Sequence, residues 1–166
     1  MATWSGIRHK LEHEYLAESL RGRIQYFATT YRESHDQEGR AAIRLDGKEV
    51  LRGNFFNYYL KAHLLPESYR RLGWEFDFTD EATMNLGMFD QRSFYVAFEK
   101  FDNQSIDESL SSPDLMIRIF AILDRRVGKR RLIAMKEQMK NEPQILQFFY
   151  VVRTEAEGIV ADGDLS

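Results

Sequence analysis

Five cations stand within seven residues of the chain, at Arg125, Arg126, Lys129, Arg130 and Arg131. We call residues 125–131 the basic segment. The whole chain carries a net charge of −3, so this local excess of positive charge predicts an anionic partner. That partner could be phosphate, another protein, or an acidic part of the same chain.

The basic segment is open to several hypotheses. Its arginines and lysine could neutralise the phosphates of a nucleic acid. They could instead stabilise the end of a helix predicted over residues 113–126, because cations interact favourably with the C-terminus of the helix dipole. Arg125 or Arg130 could also pair with Glu155 or Glu157. We favour the dipole or the internal pair, and contact with a partner protein is the remaining hypothesis.

Four other side chains are of types that bind metals. His9 and His13 are four residues apart, so a helix places them on one face. His35 and Asp36 could complete a metal site if their loop folds over that helix. The zincin pattern, however, requires glutamate directly after the first histidine, and Lys10 occupies that position. Solvent-exposed histidines are therefore the favoured interpretation.

The polar stretch 33–40 contains the residue types of a catalytic triad. Ser34, His35 and Asp36 are adjacent, whereas a triad requires residues that converge from separated positions. Arg32, His35 and Arg40 could form an anion-binding loop. The same residues are also typical of ordinary turns, which is the interpretation we favour.

Composition limits the class of protein. The chain has 166 residues, 43% of them hydrophobic, which suffices to bury a core. It contains no cysteine, which excludes disulfides, thiolate metal sites and a cysteine nucleophile. The start of the chain does not resemble a signal peptide, and no apolar run approaches the roughly 20 residues of a membrane span. We expect a cytoplasmic protein without a bound cofactor.

Charge is unevenly distributed along the chain. Residues 63–111 contain ten acidic and four basic residues, whereas residues 112–152 contain four acidic and eight basic residues. The acidic middle and the basic third quarter could attract each other within one fold or contact different partners.

The first half of the sequence predicts a helix followed by a three-stranded meander. Trp4, Ile7, Leu11 and Tyr15 recur at helical spacing, and alternation begins near Ile24. The pair Asp46-Gly47 between two alternating runs is the strongest hairpin signal, because a type I′ turn needs two positive φ angles. The predicted elements are a helix over 4–19, strands over 23–32, 41–45 and 48–52, and a loop over 33–40.

The second half is predicted to be mainly helical. Asp80 and Asp90 are suitable N-caps, and Ser112-Pro113 has the pattern of another helix start. The predicted elements are helices over 55–64, 80–88 and 90–102, a strand over 74–78, a polar connector over 103–112, and C-terminal helices before the basic segment, after it, and beyond Pro143.

The predicted fold class is α+β, with an N-terminal helix packed on a three-stranded antiparallel meander and a mainly helical C-terminal half. We expect a helix-meander-helix unit over 1–72. A helical unit over 73–158 would pack on it to form one compact domain, and 159–166 would be a flexible tail.

The order helix, meander, helix is similar to that of the double-stranded-RNA-binding domain, and the hairpin over 39–50 resembles its central strands. That domain binds phosphates with a lysine cluster that opens its second helix. The matching stretch here, residues 53–59, contains no lysine. The resemblance therefore implies a shared topology without the RNA-binding residues.

A second resemblance involves both ends of the chain. The stretches that carry it are 4–8, 20–29, 34–36, 39–40, 46–49, 124–130 and 149–159. They resemble a small bacterial protein family without assigned activity. This resemblance implies a bacterial cytoplasmic protein and transfers no catalytic residue.

These observations predict a non-enzymatic interaction or regulatory protein whose partner is another protein or a second copy of itself, away from any membrane. The alternative is a nucleic-acid-binding protein that uses the basic segment with Arg32 and Arg40. A metal-assisted hydrolase built on His9, His13, His35 and Asp36 is the third hypothesis.

Overall fold

The computed structural model describes residues 3–30, 39–54, 79–87 and 89–159, and it confirms the α+β fold class. An N-terminal helix precedes a three-stranded antiparallel sheet, and the C-terminal half is mainly helical. The elements are α1 (Trp4–His9), a π-helical continuation (Lys10–Tyr15), a 3-10 turn (Glu18–Leu20), β1 (Ile24–Thr30), β2 (Gly39–Leu45), β3 (Lys48–Asn54), α2 (Glu81–Asn85), α3 (Gln91–Asp102), α4 (Ile106–Leu110), α5 (Leu115–Ile122), α6 (Lys129–Ala134), α7 (Lys136–Met139) and α8 (Gln144–Ala156).

The sheet has the order β1-β2-β3, and both strand pairs are antiparallel. The turn between β2 and β3 has φ of 52° at Asp46 and 85° at Gly47. Two positive φ angles are what a type I′ hairpin requires, so the prediction from Asp46-Gly47 is confirmed. At the edge of β1, the Glu12 carboxylate accepts a hydrogen bond of 2.8 Å from the Tyr26 amide.

The predicted helix over 4–19 is wrong at its end. The α-helix stops at His9, π-helical geometry continues to Tyr15, and Leu16 has an extended backbone. Leu16 forms an isolated antiparallel bridge with Asp124. The neighbouring amides cross between these two segments: Ala17 donates to the Leu123 carbonyl at 2.9 Å, and Arg125 donates to the Tyr15 carbonyl at 2.7 Å. These long-range bonds replace the ones that a longer helix would make.

Aromatic side chains join the sheet to the helical half. The Tyr26 ring meets the rings of Phe94 and Phe120 edge-on, with centroids 6.2 and 5.7 Å apart. Trp4 stacks on Phe94 at 5.8 Å. The helix α5 runs through the centre of this core. Seven of its eight residues are buried: Leu115, Met116, Ile117, Ile119, Phe120, Ala121 and Ile122.

The helix starts predicted from aspartates are confirmed, and the one predicted from Ser112-Pro113 is wrong. Asp80 and Asp90 each cap a helix and take part in a capping box. The N-cap of α5 is Asp114, whose carboxylate accepts from the Met116 amide at 2.9 Å. The Leu115 amide donates to the Thr79 carbonyl at 2.7 Å, so a tertiary contact fixes where this helix begins.

The predicted connector over 103–112 is also wrong, because it contains α4. This short helix begins with a capping box in which Ser105 and Glu108 bond each other's backbone amides. The predicted elements over 55–64 and 74–78 and the tail beyond Ile159 lie outside the described residues. The division at residue 72 remains a prediction.

Candidate functional site

The backbone of the basic segment follows the end of α5. The helix ends at Ile122, and Asp124 turns the chain toward the N-terminal segment, to which it is bridged at Leu16. Val127 is fully buried beneath the turn, and the next helix, α6, begins at Lys129. The basic segment is therefore a tight connection between two helices with one buried apolar anchor.

Asp124 organises the first half of this connection. Its carboxylate is completely buried and accepts three hydrogen bonds from Arg126, from the amide at 2.7 Å, Nε at 3.0 Å and Nη2 at 2.8 Å. The hydrogen bond from Asp124 raises the pKa of Arg126. The Arg126 guanidinium also lies over the Tyr15 ring at 5.0 Å and the Phe101 ring at 5.6 Å. One cation of the segment is thus part of the local structure.

A buried arginine from α8 holds the second half. Arg153 is 2% exposed. Its Nη1 donates to the carbonyls of Ile122 and Asp124 at 2.8 and 2.7 Å, and its Nη2 donates to the carbonyl of Val127 at 2.6 Å. A helix leaves its last carbonyls without partners inside the helix, and Arg153 supplies a donor for that of Ile122 and for two carbonyls of the connection that follows. Its Nε donates to Glu157 at 3.0 Å.

The five cations of the basic segment have different surroundings. Arg126 pairs with Asp124, and Arg131 pairs with the exposed carboxylate of Asp107. The side chains of three others are exposed and make no ion pair with any residue that the structure describes. These three are Arg125, Lys129 and Arg130.

The internal pair predicted for this segment forms with a different arginine. Neither Arg125 nor Arg130 pairs with Glu155 or Glu157 in the described part of the chain; instead Glu157 accepts from Arg153 and from the Ser19 hydroxyl, at 3.0 and 2.7 Å. Burial opposes ionisation of Glu157, but these hydrogen bonds prevail and its pKa is lowered. Arg153 takes the place predicted for a cation of the basic segment.

The helix-dipole hypothesis is wrong for the second half of the segment. Lys129, Arg130 and Arg131 form the first turn of α6, with Gly128 as its N-cap. Cations at this end of a helix are unfavourable, since the dipole is positive there. Lys129 and Arg130 therefore cost this helix a little stability, whereas Arg131 also belongs to its last turn.

Exposed apolar side chains lie beside these cations and on the neighbouring helix α8. Ile133 in α6 is 47% exposed, and Phe148 and Val151 in α8 are 40% and 42% exposed. The two helices are joined where the Tyr150 hydroxyl donates to the Leu132 carbonyl at 2.5 Å. Each helix thus presents exposed apolar side chains of its own, Ile133 in α6 and Phe148 and Val151 in α8.

The sheet neutralises Arg40, which was predicted to lie in an anion-binding loop. Arg40 is the second residue of β2, and its guanidinium pairs with Glu49. The hydrogen bond from Arg40 lowers the pKa of Glu49. The guanidinium groups of Arg40 and Arg44 both lie over the Phe27 ring, at 5.4 and 4.6 Å. Arg32, His35 and Asp36 lie outside the described residues.

His9 and His13 are exposed and adjacent, with ring centroids 4.9 Å apart. Over residues 3–30, 39–54, 79–87 and 89–159, no group of three or more histidine or acidic side chains is placed to hold a metal ion. The other two predicted members, His35 and Asp36, lie outside the described residues.

Sequence reasoning missed a polar cluster at the end of the π-helical segment. The Tyr15 hydroxyl donates to Asp102, and Lys10 Nζ lies 3.3 Å from the same carboxylate. Residues five apart share a face of a π-helix, which brings Lys10 and Tyr15 to one partner. Burial and the bond to Asp102 raise the pKa of Tyr15 to about 12. This tyrosine therefore stays protonated and fastens the N-terminal segment to α3.

A cavity of about 650 Å³ lies between β3 and α2. Its lining includes apolar residues such as Met84 and Ile145 and two cations, Arg52 and Arg40, the latter paired with Glu49. The solvent-facing cations of the basic segment are the better candidate site.

Comparison with known families decides where the chain belongs. The sequence model of the SF0329 protein family matches residues 3–154. The chain belongs to the SF0329 protein family. This confirms the resemblance to a family without assigned activity and brings no catalytic residues with it. No curated protein and no solved structure matched the chain.

The match spans the N-terminal helix, the sheet and the basic segment of this SF0329 family protein, and it ends just after Arg153. The similarity to the double-stranded-RNA-binding domain remains a prediction, because the stretch that would form its second helix lies outside the described residues. None of the described helices is both long and apolar enough to cross a membrane.

Proposed function

We propose that this protein acts by binding another protein, without catalysis or a bound cofactor, in the bacterial cytoplasm. The contact surface is formed by Arg125, Lys129, Arg130 and Ile133. The observation that supports it most directly is that three cations face solvent without an ion pair in the described part of the chain, on a backbone fixed by the buried Arg153.

The spacing along α6 joins the cations to the apolar residue. Lys129 and Arg130 lie four and three residues before Ile133, so all three share one face of the helix. A large aliphatic side chain beside arginines suits an apolar contact with a charged rim, which is common in protein interfaces. The partner would carry carboxylates around an apolar side chain.

The surroundings favour a protein over a long polyanion. Exposed carboxylates lie close to the basic segment in sequence or in space: the side chain of Asp107 is 72% exposed and that of Glu137 is 76% exposed. Asp107 pairs with Arg131 and Glu137 pairs with Lys140, so this surface mixes charges of both signs, whereas a nucleic acid presents only phosphates at regular intervals. A partner protein can place charges of either sign opposite this mixed surface.

Site-specific photo-cross-linking from position 133 in cells tests this proposal, with the exposed Lys48, the first residue of β3, as the control position. We expect a protein that cross-links from position 133 and not from position 48. Purified, that protein should bind the wild type more tightly than Arg130→Glu, whereas Lys48→Glu, the same charge change elsewhere, should bind like the wild type. Equal cross-linking from both positions, or an unchanged affinity of Arg130→Glu, would contradict it.

Nucleic-acid binding is the second candidate, because the same three cations could contact phosphates. It predicts that the wild type retards duplex RNA at low salt and that Arg125→Glu with Arg130→Glu abolishes this. The number of phosphates contacted would appear as the slope of affinity against salt. If the wild type shows no salt-dependent retardation of RNA or duplex DNA, this candidate is removed.

A further inference from the structure

The helix α8 presents a second surface, distinct from the basic segment. Gln144, Phe148, Val151 and Glu155 are spaced by four, three and four residues, so they lie along one face of the helix. All four are exposed, and the central two are large apolar residues exposed by 40% and 42%. We call these four residues the outer stripe of α8.

The described part of the chain holds α8 in an orientation that turns the outer stripe away from the core. Leu146, Phe149 and Tyr150 are buried on the opposite face. Arg153 is bonded to the carbonyls of Ile122, Asp124 and Val127, which fixes the rotation of the helix about its own axis. Within the described residues, Phe148 and Val151 therefore stay exposed, and a second copy of the chain would bury them.

The chemistry of the stripe is complementary to itself. A two-fold axis midway between Phe148 and Val151 pairs Phe148 with Val151 of the partner subunit, and Gln144 with Glu155 of the partner subunit. The larger apolar side chain then meets the smaller one, and an amide donor meets a carboxylate. A parallel arrangement would instead place the two Glu155 carboxylates side by side, which like-charge repulsion disfavours.

We infer that this protein forms a homodimer in which the two α8 helices pack antiparallel through their outer stripes. A contact of this kind uses the same patch on both subunits and closes at two copies. It leaves Arg125, Lys129, Arg130 and Ile133 available, so each dimer would present two copies of the surface proposed for the partner protein. This inference does not depend on that function.

Sedimentation equilibrium of the full chain tests the dimer, using two matched variants. Val151→Glu and Ile133→Glu each place a carboxylate at an apolar side chain of similar exposure, but only the first lies in the outer stripe. We expect the wild type and Ile133→Glu to dimerise with the same affinity and Val151→Glu to dimerise at least about tenfold more weakly, as expected for an interface anchor.

Cysteine cross-linking tests the register. The chain contains no cysteine, so introduced thiols report only their own positions. Under mild oxidation, a mixture of Phe148→Cys and Val151→Cys should form a covalent dimer between the two variants. A mixture of Phe148→Cys and Lys48→Cys should not, because Lys48 lies in β3, outside the outer stripe.

A wild type that sediments as a monomer would overturn the inference. Dimerisation that survives Val151→Glu, or cross-linking that does not distinguish position 151 from position 48, would overturn it as well. None of these outcomes bears on the cross-linking from position 133, so failure of the dimer and failure of the proposed function are separable.

Discussion

Arg153 is buried, yet its hydrogen bonds fix the backbone that carries the exposed cations of the basic segment. Its guanidinium reaches three backbone carbonyls at the end of α5 and within the basic segment, and its Nε reaches Glu157. A planar group with five donors can serve acceptors in several directions, whereas lysine presents one compact charge. The cations at the surface are held in place by a cation in the core.

Replacing Arg153 should therefore cost far more than replacing a cation of the basic segment. Arg153→Met keeps the length of the side chain but leaves three carbonyls without their donor and Glu157 with that of Ser19 alone, and we expect it to lower the free energy of unfolding by about 3–5 kcal/mol. Arg125→Met removes an exposed charge and should change it by no more than about 0.5 kcal/mol. Urea denaturation measures both, and similar losses would contradict the role assigned to Arg153.

The sequence shows that the basic segment is charged, but not what each of its side chains does. Arg125 and Arg126 are neighbours of one type, yet one faces solvent and the other pairs with a buried carboxylate. The difference comes from the bridge between Leu16 and Asp124, which joins residues far apart in the chain. Arg153 stands in an apolar helical pattern, where the charge pattern gave no sign that it would be buried.

At the scale of elements, local signals predicted structure well wherever the cause was local. The hairpin at Asp46-Gly47 and the caps at Asp80 and Asp90 depend on a few adjacent residues, and all three predictions are confirmed. The capping box of Ser105 and Glu108 is equally local, but the polar composition around it predicts a connector, and that prediction is wrong. The end of the first helix and the start of α5 depend on partners elsewhere, Asp124 and Thr79, which no local pattern reveals.

The start of α5 predicts a pH dependence of stability. Asp114 is buried at the N-cap, and burial raises its pKa from 3.8 to about 6 despite hydrogen bonds from backbone amides. The Asp114 carboxyl thus holds its proton more tightly in the folded state than in the unfolded state. The stability that this protonation contributes is therefore complete below about pH 4. It is lost as the pH rises to about 6 and stays constant above that.

Asp114→Asn should remove this dependence, because asparagine keeps a capping oxygen and does not ionise. Relative to the wild type, the variant should gain roughly 1–3 kcal/mol of unfolding free energy between pH 4 and pH 7. The measurement is the difference between the two proteins at each pH, which cancels carboxylates whose pKa is lowered, such as Glu49 and Glu142. A difference that does not change with pH would contradict burial of an ionisable Asp114.

Across the whole molecule, opposite charges and a shared aromatic core connect distant parts of the chain. The acidic middle meets the basic third quarter at the pair between Arg131 and Asp107, so the uneven charge distribution is partly satisfied within the fold. Phe94 contacts Trp4 from the N-terminal helix, Tyr26 from the sheet and Phe120 from α5. The sheet and the helical half therefore bury one common set of rings.

This common core leads us to expect a single cooperative unfolding transition, consistent with the prediction of one compact domain. Trp4 reports on the junction through its stacking on Phe94, and Trp74→Phe removes the other tryptophan of the chain. In that background, the fluorescence of Trp4 and the far-UV circular dichroism of the whole chain should change at the same urea concentration.

The control is urea denaturation of Trp74→Phe and of the wild type, both followed by circular dichroism, which shows whether the substitution alters stability. If the Trp4 transition came at lower urea than the loss of helix, the N-terminal helix would detach while α5 and α8 stay folded. The contacts of the N-terminal segment with Phe94 and Asp102 would then be weaker than the contacts that Arg153 makes between α8 and the end of α5.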